Sequence, residues 1–226
     1  MKIFQLTTAM AIVIAVSTSC SKSSDGTVTT PAGMQFQLTT SNPYVVVNKT
    51  VAGSIVWTSG SAWATETKLE GKQNSSQLEF KSSVSQQINL FASVIAGMGN
   101  ISIPAGTYTE VEFKVTLNQN GSNPAMELNG TYTSGTGVVT PVVFSINSLF
   151  LLKAEQSNVV VSANTSITAL TTLNLSLISA GITQAMLNSA TVSGGKILIS
   201  ASSNINLYNI ITNNFLQFHH VDVTHH

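Results

Sequence analysis

The stretch Ile103-Pro104-Ala105-Gly106-Thr107-Tyr108-Thr109-Glu110-Val111-Glu112-Phe113-Lys114-Val115-Thr116-Leu117 decides the fold. Val111, Phe113, Val115 and Leu117 alternate with Glu110, Glu112, Lys114 and Thr116, and a period of two places the sets on opposite faces of a strand. One face is core and the other is wet, as in antiparallel sheets solvated on one side. Upstream, Pro104 and Gly106 end a strand carrying Ile101 and Ile103 and turn the chain into the next one. Downstream, Asn118 to Pro124 is turn chemistry.

Working outward, Met34, Phe36 and Leu38 alternate with glutamines and predict a first strand. Short β-rich runs follow at Tyr44 to Val47, Ser54 to Trp57, Leu78 to Phe80 and Ile88 to Val94. Thr58-Ser59-Gly60-Ser61 reads as a turn, so Trp57 and Trp63 are expected to flank a hairpin. Met126 to Tyr132, Val142 to Phe144, Phe150 to Leu152 and Val159 to Val161 continue the meander, and Lys196 to Ser200 returns to strand. Leu170 to Ile178 and Gly181 to Ala190, with Ile182, Met186 and Leu187 at helical spacing, suggest a short helix. Ser203-Asn204 is an N-cap pair for another through about Phe215. The expectation is a mainly β chain, an antiparallel β-sandwich with one or two short helices near the C-terminus.

Only 8% of residues are charged and the net charge is zero, against about 25% charged in an ordinary soluble domain. All nine basic residues are lysines, so the forked donor that grips phosphate or a base edge is missing. Nucleic acid is not an expected partner.

Met1 and Lys2 precede an apolar run, Ala9 to Val16, that is too short to cross a bilayer. Ser17, Thr18 and Ser19 then lead to Cys20, the only cysteine. This resembles the lipobox of bacterial lipoproteins, with Ser17 where the commonest version has Leu. The run reads as part of a signal peptide over 1–19, the resemblance implies lipid on Cys20, the Ser/Thr/Gly-rich composition reads as a tether within 20–33, and the strand pattern predicts one β-sandwich domain over 34–226. Two or more acyl chains hold a protein stably at a membrane where one does not. Ser21 after Cys20 implies the outer membrane by the same resemblance.

Ile88-Asn89-Leu90, Ile103 to Tyr108, Pro141 to Phe144, Gly181 to Gln184 and Ser202 to Asn204 are together similar to a β-sandwich domain of unknown function in Bacteroidetes-type surface lipoproteins. The resemblance implies an address and an immunoglobulin-like or transthyretin-like fold, and no activity. In immunoglobulin-like domains the tyrosine of such a turn bonds back to the chain and lies on the buried face. Tyr108 has the parity of Glu110, so a corner here requires a bulge after it.

Candidate chemistry is sparse. Glu110 and Glu112 share a strand face; a hydrolase would need two carboxylates across a substrate, whereas beside Lys114 they read more simply as solvated surface. His220, Asp222 and His226 fall on one side of an extended C-terminal segment, donors suited to zinc or copper; a frayed tail is the simpler expectation. Trp57 and Trp63 could stack on sugar rings or wedge into a partner, or serve the core. The leading expectation is a non-enzymatic, lipid-anchored module that binds a glycan, a protein or itself, needing no cofactor. A metal-binding lipoprotein and a secreted hydrolase are the alternatives.

Overall fold

The computed structural model describes residues 31–47, 53–73, 76–216 and 219–225. Cys20, the expected leader and most of the expected tether lie outside them, as does His226.

The described residues are mostly β, with thirteen strands in two sheets and three short helices among them. The smaller sheet contains β1 (Ala32–Ser41), β5 (Met98–Ile103), β10 (Ser166–Asn174) and β13 (His219–His225), in the order β13-β10-β1-β5. The larger is built on β3 (Ser54–Gln73), the longest strand at 20 residues. Its other members are β2 (Tyr44–Val46), β4 (Ser76–Asn89), β6 (Gly106–Leu117), β7 (Met126–Thr133), β8 (Val139–Ile146), β9 (Phe150–Val161), β11 (Val192–Ser193) and β12 (Lys196–Ile199). β1 begins at Ala32, which is buried, two residues before the expected edge of the domain.

The alternation read from 111–117 is real: Val111, Phe113, Val115 and Leu117 are all buried. Both sheets are mixed, because β1 pairs with β10, and β12 with β8, in parallel. That departs from the antiparallel expectation. The partners are far apart in sequence and are joined by long excursions, which parallel pairing requires.

β3 divides the larger sheet. Residues 54–62 pair with β7 and residues 64–72 with β6, along the same edge. The fork falls at Trp63, whose N–H donates to the Ala125 carbonyl and whose carbonyl accepts from Asn118. Beyond the fork, β4, β3, β6 and β9 lie against the smaller sheet in a sandwich-like arrangement. Phe36 and Phe113 meet edge-on across the gap at 6.1 Å, and Met34 and Ile167 face Leu69 and Val111 around one small void.

Before the fork the cover is helical: α1 (Leu175–Ile178), α2 (Gln184–Asn188) and α3 (Ile205–Phe215). Leu207, Ile211 and Phe215 of α3 are buried, and Phe215 stacks on Phe144 of β8 at 5.8 Å. Asn204 precedes α3 in the left-handed region without capping it. Its amide instead donates to the carbonyls of Thr191 and Leu198. Part of the helix expected over Leu170 to Ile178 is strand, because Ile167, Ala169, Thr171 and Leu173 of β10 alternate inward.

Tyr108 does form a corner: its hydroxyl donates to the Pro104 carbonyl at 2.9 Å and its ring is buried. Parity is reset on both strands at once. Thr109 and Glu110 of β6, and Ser157 and Asn158 of β9, are exposed in succession, with Asn158 at φ 57°. The β6–β9 register therefore passes through unshifted. Gly71 of β3 lies under the ring, where a Cβ would come within 2.8 Å of it.

Candidate functional site

The two tryptophans do not flank a hairpin. Both lie on β3, and Thr58 to Ser61 is strand with a register shift between Trp57 and Ser59. Such a bulge needs an extra residue and tolerates Ser and Gly on a strand. Trp57 is a core residue, 2% exposed, with its indole N–H on Ser179 Oγ at 3.2 Å. Gly130, directly opposite on β7, leaves the space its ring occupies. Trp63 has the same parity, but the bulge between them turns it to the outer face of β3, where it is partly exposed.

That outer face is where the molecule keeps its charge. Outward positions of β3, β4, β6 and β9 hold Lys68, Lys72, Lys81, Lys114 and Lys153, with Glu66, Glu70, Glu79, Glu110, Glu112 and Glu155. Register sets them in rows. Glu79, Glu70, Glu112 and Glu155 are successive cross-strand partners, and so are Lys81, Lys68, Lys114 and Lys153 one step along.

Like charges directly opposite repel, and the side chains answer by reaching along their own strand and diagonally to the next. Lys68 bonds Glu70 at 2.6 Å and Glu79 at 3.0 Å. Lys114 bonds Glu112 at 2.6 Å and Glu70 at 2.9 Å. Lys153 completes the chain to Glu112 and reaches Glu155 at 3.9 Å. The Lys68 and Lys114 ammonium groups beside Glu70 hold its carboxyl down at about 2. Lys68 is correspondingly raised by its bonds to Glu70 and Glu79.

Two open depressions flank these rows. One, of about 320 Å³, is lined by Glu70, Gly71, Lys72, Gln77, Glu110 and Glu112. It contains both carboxylates considered for hydrolysis, but Glu112 is bound by two lysines, which favours an ionised carboxylate over a proton donor. The other, of about 390 Å³, lies beside the fork and is lined by Ser59, Ser61, Gln87, Asn89 and Asn129 among others. Gln87 is the cross-strand partner of Trp63, so amide and hydroxyl groups adjoin the tryptophan.

The C-terminal segment is strand β13, paired with β10. Positions 220 and 222 are two apart on it, facing Thr172 and Leu170 in the register, and Asp222 is exposed. Among the described residues no group of three or more His, Cys, Asp or Glu is placed to hold a metal ion.

Sequence reasoning missed the charge rows and Tyr44, an aromatic 58% exposed near the β1–β2 turn. A signal for the rows was present, since Lys68-x-Glu70-x-Lys72, Glu79-x-Lys81, Glu112-x-Lys114 and Lys153-x-Glu155 each set opposite charges two apart. No family model, no curated protein and no solved structure matches the chain.

Proposed function

We propose that the protein is a non-catalytic binding module of the cell envelope, held at the outer membrane by lipid on Cys20, and that the outer face of β4-β3-β6-β9 makes its contact. One observation carries this reading. Five of the nine lysines and six of the nine acids of a charge-poor chain occupy the outward positions of four adjacent strands. Charge so concentrated and so ordered serves recognition better than solubility, for which scattered charges suffice.

A glycan is the second candidate for the contact, favoured by Trp63 beside Ser59, Ser61, Gln87, Asn89 and Asn129. An aromatic face stacks on a sugar ring while amides bond its hydroxyls.

Two experiments test the proposal. Palmitate labelling in a Gram-negative host should mark the wild type in the membrane fraction and not Cys20→Ser; an unlabelled wild type removes the anchor. Capture of glycans and proteins by the full chain should fall with Trp63→Ala or with Glu70→Lys/Glu112→Lys while the fold persists. Capture indifferent to both sets removes the outer face.

A further inference from the structure

The paired rows of the outer face identify a partner. We propose that this face docks on the same face of a second copy of the chain, with the strands of the two copies antiparallel. The proposal rests on the reading of the outer face as the contact surface and names what it contacts.

Two copies can meet face to face about a two-fold axis in the plane between them, along the rows or along the strands. An axis along the strands lays β3 over β6 and β4 over β9. Glu70 then faces Glu112, Lys68 faces Lys114, Glu79 faces Glu155 and Lys81 faces Lys153, like on like in both four-residue rows, and only Lys72 over Glu110 sets opposite charges together. An axis along the rows, midway between them, lays each strand over its own copy with its direction reversed. Every glutamate of the four-residue row then meets a lysine: Glu70 with Lys68, Glu112 with Lys114, Glu79 with Lys81 and Glu155 with Lys153. In the next rows Lys72 comes over Glu66, while Glu110 comes over the neutral Thr116. The charge pattern thus selects one of two orientations.

The monomer leaves charges for this purpose. Among the described residues Lys72, Lys81, Glu66 and Glu110 have no ion-pair partner. In the antiparallel pair Lys72 gains Glu66 and Lys81 gains Glu79. Stacked twisted sheets stay within about 30° of one another, so superposition is best over the central β3 and β6. Four strands about 4.8 Å apart with four outward residues each cover about 500 Å² per copy, at the low end for a specific interface. The contact is accordingly weak, electrostatic and suited to many copies displayed on a surface.

The orientation has a consequence. Ala32 pairs with Ile103, and Ile167 pairs with both Met34 and His225, so the first and last described strands have their free ends at one end of the sandwich. Antiparallel copies point these ends in opposite directions.

Sedimentation velocity of the full chain in detergent tests the pairing. The wild type should dimerise at low salt and associate at least about tenfold more weakly in molar salt, where the Debye length is about 3 Å. Glu70→Lys/Glu112→Lys and Lys68→Glu/Lys114→Glu should each be monomeric, and their equimolar mixture should form a heterodimer. The four-residue swap that exchanges both pairs keeps the bonds among positions 68, 70, 112 and 114, sets each of them opposite an unlike charge on its neighbouring strand, and should dimerise like the wild type, which separates lost association from lost folding. In a Cys20→Ser background, Gln77→Cys on one copy should cross-link to Ser83→Cys on the other; the parallel arrangement instead predicts Ser157→Cys. A wild type monomeric at low salt, dimers persisting in both folded double variants, or cross-linking to position 157 overturns the proposal. If self-association is absent while capture of another ligand still depends on the outer face, that face stands as the contact surface and the second copy alone is rejected.

Discussion

The inner and outer faces of β3 each carry a tryptophan, and the two are used in opposite ways. Inside, Trp57 fills a space left by Gly130 and bonds Ser179, so shape decides its surroundings. Outside, Trp63 sits at the fork and leads into rows of Glu and Lys whose pattern, and not whose packing, is specific. The inner face holds the fold together. The outer face is nearly free of that duty, which leaves its residues available for recognition.

Substitutions can break this contrast, and the largest effect is expected inside. Trp57→Ala should cost about 3–5 kcal/mol in urea unfolding, since it empties a large core volume and strands Ser179; Trp63→Ala should cost under about a third of that. Equal losses would mean that Trp63 is core as well. Gly130→Ala comes next at about 1–3 kcal/mol, because its Cβ would press on the Val56 carbonyl and the backbone of Trp57. A crystal structure of that variant with an unmoved Trp57 would contradict the fit described.

Tyr108→Phe removes only the bond to Pro104 and should cost about 1 kcal/mol. Thermal unfolding read beside Gly71→Ala, which crowds the same ring, checks it. The corner matters less if Gly71→Ala is silent.

Glu70→Gln should have the smallest effect on stability and the clearest pH signature. A carboxyl held at about 2 when folded, against an ordinary value of 4.5, contributes stability that is fully present above 4.5 and lost as pH falls towards 2. The difference between wild type and variant in urea midpoint should therefore be constant near neutrality and vanish by about pH 2. A difference that grows on acidification would reverse the sign of the pairing.

The inner face was legible because burial imposes a period. Val111 to Leu117 and Met34 to Leu38 could be read directly, and so could most of α3, whose Leu207 and Ile211 recur at helical spacing. Where a buried position is polar the reading failed: Thr171 is 4% exposed, and without an apolar residue there β10 looked partly helical. Ser59 and Gly60 read as a turn because outward and bulged positions on a long strand need no apolar side chain. The rows were legible only as opposite charges two apart on single strands, and their alignment was not, for a different reason. Each needs the register of four strands that are not consecutive, together with a shift between Ala64 and Glu66, and no local pattern encodes that alignment.

The outer face, proposed as a contact surface, has its centre between Lys68 and Glu70. A dilution series of heteronuclear NMR spectra of the full chain tests that proposal most directly. Concentration-dependent shifts are expected at outward residues of β3, β4, β6 and β9, fading with added salt, while Trp57 and α3 stay fixed. Shifts centred instead on Tyr44 or the helices, or none at any concentration, would contradict it.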